Sequence, residues 1–173
     1  MRDMKRLLIV VDLQNDFVDG ALGAEGGTSA LENARALISK ERARGTEVVF
    51  TKDLHGGNYL ETQEGKRLPV PHCIAGTAGA EFSAGVFAEG ARVFEKETFA
   101  SVALGEYARS GAFDEILFAG ICTDICVVSN ALLVKAFCPN ARIAVISAAC
   151  AGTTRENHLC ALNVMKSCQI DIE

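Results

Sequence analysis

The stretch LLIVVD, Leu7 to Asp12, decides the fold. Its five apolar residues run without alternation, the pattern of a strand buried on both faces in a parallel sheet. Outward from it, strand-like and helix-like segments alternate. Ser29 and Glu32 form a capping box that predicts a helix start. Leu31, Ala34, Leu37 and Ile38 then recur at helical spacing, and Gly45 fits the stop. Val48 to Thr51 reads as a second strand. From Asp53 to about Gly90 the periodicity fails, and a loop that long inside a compact domain is usually functional or disordered. Further elements follow as a strand at Arg92 to Glu95, a helix at Ser101 to Arg109 and a strand at Glu115 to Ala119. A helix at Asp124 to Ala136 leads to a strand at Arg142 to Ile146. Thr153 and Glu156 form a second capping box before a last helix, and Gln169 to Ile172 reads as a short final strand. This order predicts an α/β fold: a Rossmann-like three-layer α/β/α sandwich with a mostly parallel sheet of about six strands.

The 173 residues suit one domain spanning 1–173. With 49% hydrophobic and 23% charged residues, the composition is that of a globular chain. A net charge of -5 and scattered basic residues argue against a nucleic-acid partner. No apolar run approaches the roughly 20 residues of a membrane span. Basic residues precede Leu7 as in a signal peptide, but the apolar run is too short and acidic residues follow at once. The seven cysteines are an odd number for a disulfide framework and sit mostly in apolar elements. That predicts a reducing, cytoplasmic setting.

In parallel sheets, ligands bind beyond the carboxyl ends of the strands, near the point where strand order reverses. The residues there are Asp12, Asp53 to His55, Lys96 and Gly120 to Cys126. A partly desolvated Asp12 has the raised pKa of a proton acceptor, and Lys96 calls for an acidic partner. In GICTDIC, Thr123 or a neighbour would cap a helix whose first turn carries Cys126. A helix N-terminus favours the thiolate and offers N–H groups to an oxyanion. Cys122 reads as a packed small residue and is second choice as nucleophile. Asp53 and His55, spaced i, i+2 at a strand end, point the same way. With His72 and a carboxylate from Glu61 or Glu64 they make a plausible zinc, iron or manganese site, or else ordinary loop residues.

Five blocks in order resemble the isochorismatase-like cysteine hydrolases, and within them the nicotinamidases. They are VDLQNDF from Val11, TKDLH from Thr51, PHCIAGTAGAE from Pro71, FEKETFAS from Phe94 and GICTDICVVSNA from Gly120. The resemblance implies a catalytic triad of Asp12, Lys96 and Cys126. It also implies an oxyanion hole from the N–H groups of Cys122 and Cys126, with a cis peptide at Ile121–Cys122. Phe17 and Ile121 would contact substrate. Asp53, His55 and His72, with Glu64 as the best fourth candidate, would hold a divalent metal, zinc first. The implied reaction is hydrolysis of nicotinamide or a similar small carboxamide through a thioester, by a homo-oligomer. One departure stands out: Pro69 lies where nicotinamidases commonly carry a Trp, and the chain has no Trp. That keeps open another small amide, a carbamoyl or a ureido substrate. Isochorismatase chemistry and a redox or metal-binding protein without turnover are the remaining alternatives.

Overall fold

The computed structural model describes residues 4–173. Its sheet has strands β1 (Arg6–Val11), β2 (Glu47–Asp53), β3 (Val93–Lys96), β4 (Glu115–Ile121), β5 (Arg142–Ala151) and β6 (Asp171–Ile172). They lie in the order β3-β2-β1-β4-β5-β6, and every pairing is parallel. The order reverses between β1 and β4, which opens the switch-point crevice beside Asp12 and the segment after Ile121. The three-layer expectation holds. Leu8, Val10, Leu117 and Ala144 face α1 (Asn15–Val18) and α2 (Gly27–Ala43), meeting Phe17, Leu31, Ala34 and Ile38 in one core. Leu7, Ile9, Phe118 and Val145 face the opposite way, in the core that contains Leu104 of α4 (Val102–Gly111), Ala131 and Val134 of α5 (Val128–Phe137) and Met165 of α6 (Arg155–Ser167). Alternate residues of each strand thus feed two separate cores, which is why the strands read as unbroken apolar runs.

Three expected details differ. Helix α2 begins two residues before Ser29, with Gly26 as N-cap at φ 82 and no side-chain cap, so Ser29 and Glu32 lie inside the helix. The reason is packing: a Cβ on Gly27 would stand 2.4 Å from the Val18 carbonyl oxygen, so only glycine lets the chain start there. At α6 the capping hydroxyl is that of Thr154, which accepts from the Asn157 N–H. Thr153 is instead bound, through its N–H and hydroxyl, to the Asp124 carboxylate. Finally, β5 runs on to Ala151, because its pairing with β4 resumes at Gly120–Cys150 after an irregularity.

Between β2 and β3 the chain makes a long excursion containing only short helical pieces, among them α3 (Gln63–Arg67). The Thr62 hydroxyl caps α3 by accepting from the Gly65 N–H. Tyr59, almost fully buried, donates its hydroxyl to the Leu68 carbonyl. No described helix is long and apolar enough to cross a membrane.

Candidate active site

Asp12 leaves β1 at φ 47, a left-handed conformation that aspartate tolerates better than most residues. Its carboxylate is wholly buried, and Thr51 of the neighbouring strand donates a 2.6 Å hydrogen bond to Oδ1. The other oxygen, Oδ2, lies 2.6 Å from Lys96 Nζ. This close ion pair is the partner of a fully buried carboxylate oxygen. Lys96 Nζ also reaches Asp53 Oδ1 at 3.2 Å and Cys126 Sγ at 3.6 Å. One ammonium therefore bridges two carboxylates and a thiol. The sequence-derived trio of Asp12, Lys96 and Cys126 is brought together from the ends of β1, β3 and the turn after β4.

Burial dominates the electrostatics. It raises the Asp12 carboxyl above the usual range, and Asp53 adds to this, while Lys96 and Thr51 oppose it. For Lys96, burial disfavours the charge but is outweighed by Asp12, Cys126 and Asp53, so the ammonium is held firmly. Burial, then Asp12, push the Cys126 thiol well above its ordinary value, with Lys96 opposing. Burial thus works against the thiolate-favouring effect expected of a helix N-terminus. Cys126 sits in a π-helical turn, Thr123–Val127, beneath the surface rather than in the first turn of an α-helix. Its cap position is Cys122, and the Thr123 hydroxyl is occupied by His158 Nδ1 at 2.7 Å. The Cys122 thiol is pushed up to about 12, again by burial first. The peptide Ile121–Cys122 is cis.

The second cluster adjoins the first through Asp53. Oδ2 of Asp53 is 2.8 Å from His55 Nε2 and 3.6 Å from His72 Nε2. Glu64 Oε1 approaches His72 Nε2 at 3.6 Å and His55 Nε2 at 4.0 Å. The ligand atoms of Asp53, His55 and His72 lie within 4.8 Å of one another. His72 Nδ1 donates to the Val70 carbonyl at 2.8 Å, which leaves Nε2 turned toward Asp53 and Glu64. Two imidazoles and carboxylates converging this way suit a divalent cation of the zinc, iron or manganese type. Phe17 lies against His72, ring centroids 5.5 Å apart, and is nearly buried. Ile121 is wholly buried in the α2-side core. Beside these residues opens a cleft of about 940 Å³, lined in part by His55, Glu64, Leu68, Phe99 and Ile125.

Sequence reading missed the residues that hold this frame. Thr51 orients Asp12. The amide of Gln14, also buried, accepts from the Asp53 N–H at 2.8 Å and donates to the Asp53 and Ala80 carbonyls at 2.7 and 2.9 Å. Asn130 Nδ2 donates to the Cys126 carbonyl at 2.8 Å. Nothing in the local sequence of these three set them apart, since Gln14 opens a polar run and the partners of Thr51 and Gln14 lie 39 residues away.

An all-parallel sheet that brings a buried thiol, carboxylate and ammonium to its switch point defines the class of isochorismatase-like α/β proteins. The isochorismatase domain model matches residues 6–172, and the chain belongs to that family. A nicotinamidase/pyrazinamidase of Mycobacterium tuberculosis is 35% identical over 142 residues, covering 73% of this chain and 76% of that protein. The crystal structure of nicotinamidase/pyrazinamidase PncA from Bacillus subtilis superposes with a TM-score of 0.85 at 29% identity, covering 98% of this chain and 99% of that one. A pyrazinamidase of Pyrococcus horikoshii in complex with zinc gives 0.85 at 27% identity, with 98% of each chain covered.

Proposed function

We propose that the chain is an amidohydrolase that converts nicotinamide, or a closely similar small carboxamide, to the acid and ammonia through a thioester on Cys126. The observation that carries this reading is the buried Asp12–Lys96–Cys126 cluster, with Lys96 Nζ 2.6 Å from Asp12 and 3.6 Å from Cys126. The similarity to nicotinamidases supports the substrate class.

Asp12, its carboxyl raised by burial, takes the proton of the Cys126 thiol as sulfur attacks the amide carbon. Lys96 stays charged and holds the developing thiolate and the carboxylate in register. The backbone N–H groups of Cys122 and Cys126 receive the oxyanion. Asp12 then passes its proton to the departing ammonia, and a water deprotonated by Asp12 cleaves the thioester. Asp53, His55, His72 and Glu64 would hold a divalent cation, which supplies a Lewis acid for a pyridine nitrogen or a water. In this reading Phe17 backs His72 beside the crevice, whereas Ile121, expected to contact substrate, is wholly buried in the α2-side core and does not.

Ammonia release from nicotinamide by wild type and by Cys126→Ala, with metal content measured on the same samples, tests the proposal. Wild-type release that falls by about 10⁴-fold or more in the variant is the expected result. Equal release from both proteins would remove the cysteine mechanism. No release by wild type, with a panel of aliphatic, carbamoyl and ureido amides turned over instead, would move the substrate. The absence of a Trp and the breadth of the cleft favour that second reading.

A further inference from the structure

The turn that carries Cys126 has an uncommon form. Thr123–Val127 is π-helical, and the Val127 N–H reaches the Cys122 carbonyl, five residues back, at 3.0 Å. Single π turns are rare beside α-helical ones and persist where their surroundings fix them. Here the fixing comes from the chain that enters α6. Thr123 is wholly buried, and its hydroxyl shares a 2.7 Å hydrogen bond with Nδ1 of the half-buried His158. The next residue, Asp124, accepts from the Thr153 N–H at 2.8 Å and from the Thr153 hydroxyl at 2.6 Å. Gly152 lies where the two segments press together. A Cβ there would stand 2.8 Å from Asp124 Oδ1 and 2.8 Å from the backbone nitrogen of His158. Burial disfavours the charged form of His158, with Asp124 opposing, so its bond to Thr123 is that of an uncharged ring at neutral pH.

Neither grip touches the reacting atoms, yet both act on the turn that places them. Cys126 Sγ stands 3.6 Å from Lys96 Nζ, and Lys96 and Asp12 are fixed by the ends of β3 and β1. A turn that relaxed to α-helical pitch would shift its backbone bonds by one residue and carry the thiol with them. A misplacement of about 1 Å can cost about 10²-fold in rate. A buried hydroxyl left without its partner also costs free energy, so loss of the His158 ring nitrogen gives Thr123 a reason to turn away. We infer that His158 is a positioning residue: through the Thr123 hydroxyl it keeps the turn in its π form, and so sets where Cys126 Sγ stands against Lys96 and Asp12. The inference deepens the amidase reading and rests on it for the role of Cys126.

The test compares wild type, His158→Phe, His158→Asn, Thr123→Val and the double variant His158→Phe/Thr123→Val in two measurements. The first is kcat and KM for nicotinamide, or for whichever amide the wild type hydrolyses. The second is amide hydrogen exchange of residues 122–128, read beside Tm, which reports the hold on the turn whether or not turnover occurs. The expected result is that His158→Phe lowers kcat about tenfold or more with KM within about twofold, and speeds exchange in that segment alone. His158→Asn, whose amide can stand where Nδ1 stands, recovers most of both. The double variant is no worse than the poorer single one, because the two residues form one contact. A kcat and an exchange rate within about twofold of wild type in His158→Phe overturn the inference and leave the amidase reading untouched. Faster exchange without loss of kcat, or additive losses in the double variant, also overturn it. So does faster exchange throughout the molecule with a lowered Tm, the mark of a residue that only stabilises the fold. If wild type hydrolyses no amide yet exchange of the turn depends on His158 and Thr123 as expected, the hold on the turn stands and the amidase reading falls.

Discussion

At the residue scale, the chemistry turns on how burial sets three ionisable groups against one another. In the proposed mechanism Asp12 must be ionised to accept the thiol proton, and burial raises its carboxyl above the usual value of about 3.9. kcat/KM is therefore expected to fall as pH falls through a limb above that value. Thr51→Val removes a donor that favours the ionised form, which moves the limb to higher pH and lowers kcat/KM at pH 5 by about tenfold or more. A pH profile of the variant that overlays the wild-type curve after scaling would show that Thr51 has no hold on Asp12. Asp12, Lys96 and Cys126 were legible in the sequence because each directly follows a buried strand or its turn. Thr51 was not, since its partner is 39 residues away and a hydroxyl inside a strand carries no periodic signal. The burial that pushes the Cys126 thiol up was not legible, because the number of charges around a thiol and its depth are set by packing. A helix-start pattern shows neither.

At the element scale, β3 is the weak member. It has four residues, stands at the sheet edge and pairs only with β2, yet it ends on Lys96. Short edge strands open locally at a fraction of the global unfolding free energy. Activity in urea is therefore expected to fall at lower concentration than far-UV ellipticity, with an apparent midpoint about 0.5–1 M earlier for a slope of 1–3 kcal/mol/M. Coincident midpoints would show that β3 opens only with the whole molecule. Strand and helix existence came through from periodicity, whereas the starts of α2 and α6 did not. Those starts were decided by the close pass of Gly27 over Val18 and by the grip of Asp124 on Thr153, contacts between residues far apart in the chain.

At the scale of the whole molecule, the cluster of Asp53, His55, His72 and Glu64 fastens the long excursion between β2 and β3 to the sheet. Asp53 ends β2, while His55, Glu64 and His72 belong to the excursion. A cation bound to the folded state alone, at about 100 times its Kd, adds roughly 2.7 kcal/mol. For a chain of this size that corresponds to a rise in Tm of about 5–10 °C when zinc is returned to chelator-treated protein. His72→Ala is expected to abolish the rise. A wild-type Tm indifferent to zinc, iron and manganese would leave the cluster as a set of hydrogen-bonded loop residues.

The excursion from Leu54 to Arg92 has one more consequence. Asp12, Lys96 and Cys126 are anchored by the sheet and the turn after β4, and none of them lies within it. The segment nevertheless supplies Leu68, Glu64 and His72 to the site. Insertions and exchanges there would leave the placement of the proposed catalytic trio to the sheet. A lineage built on this frame can therefore change its diet one loop at a time, keeping the same teeth.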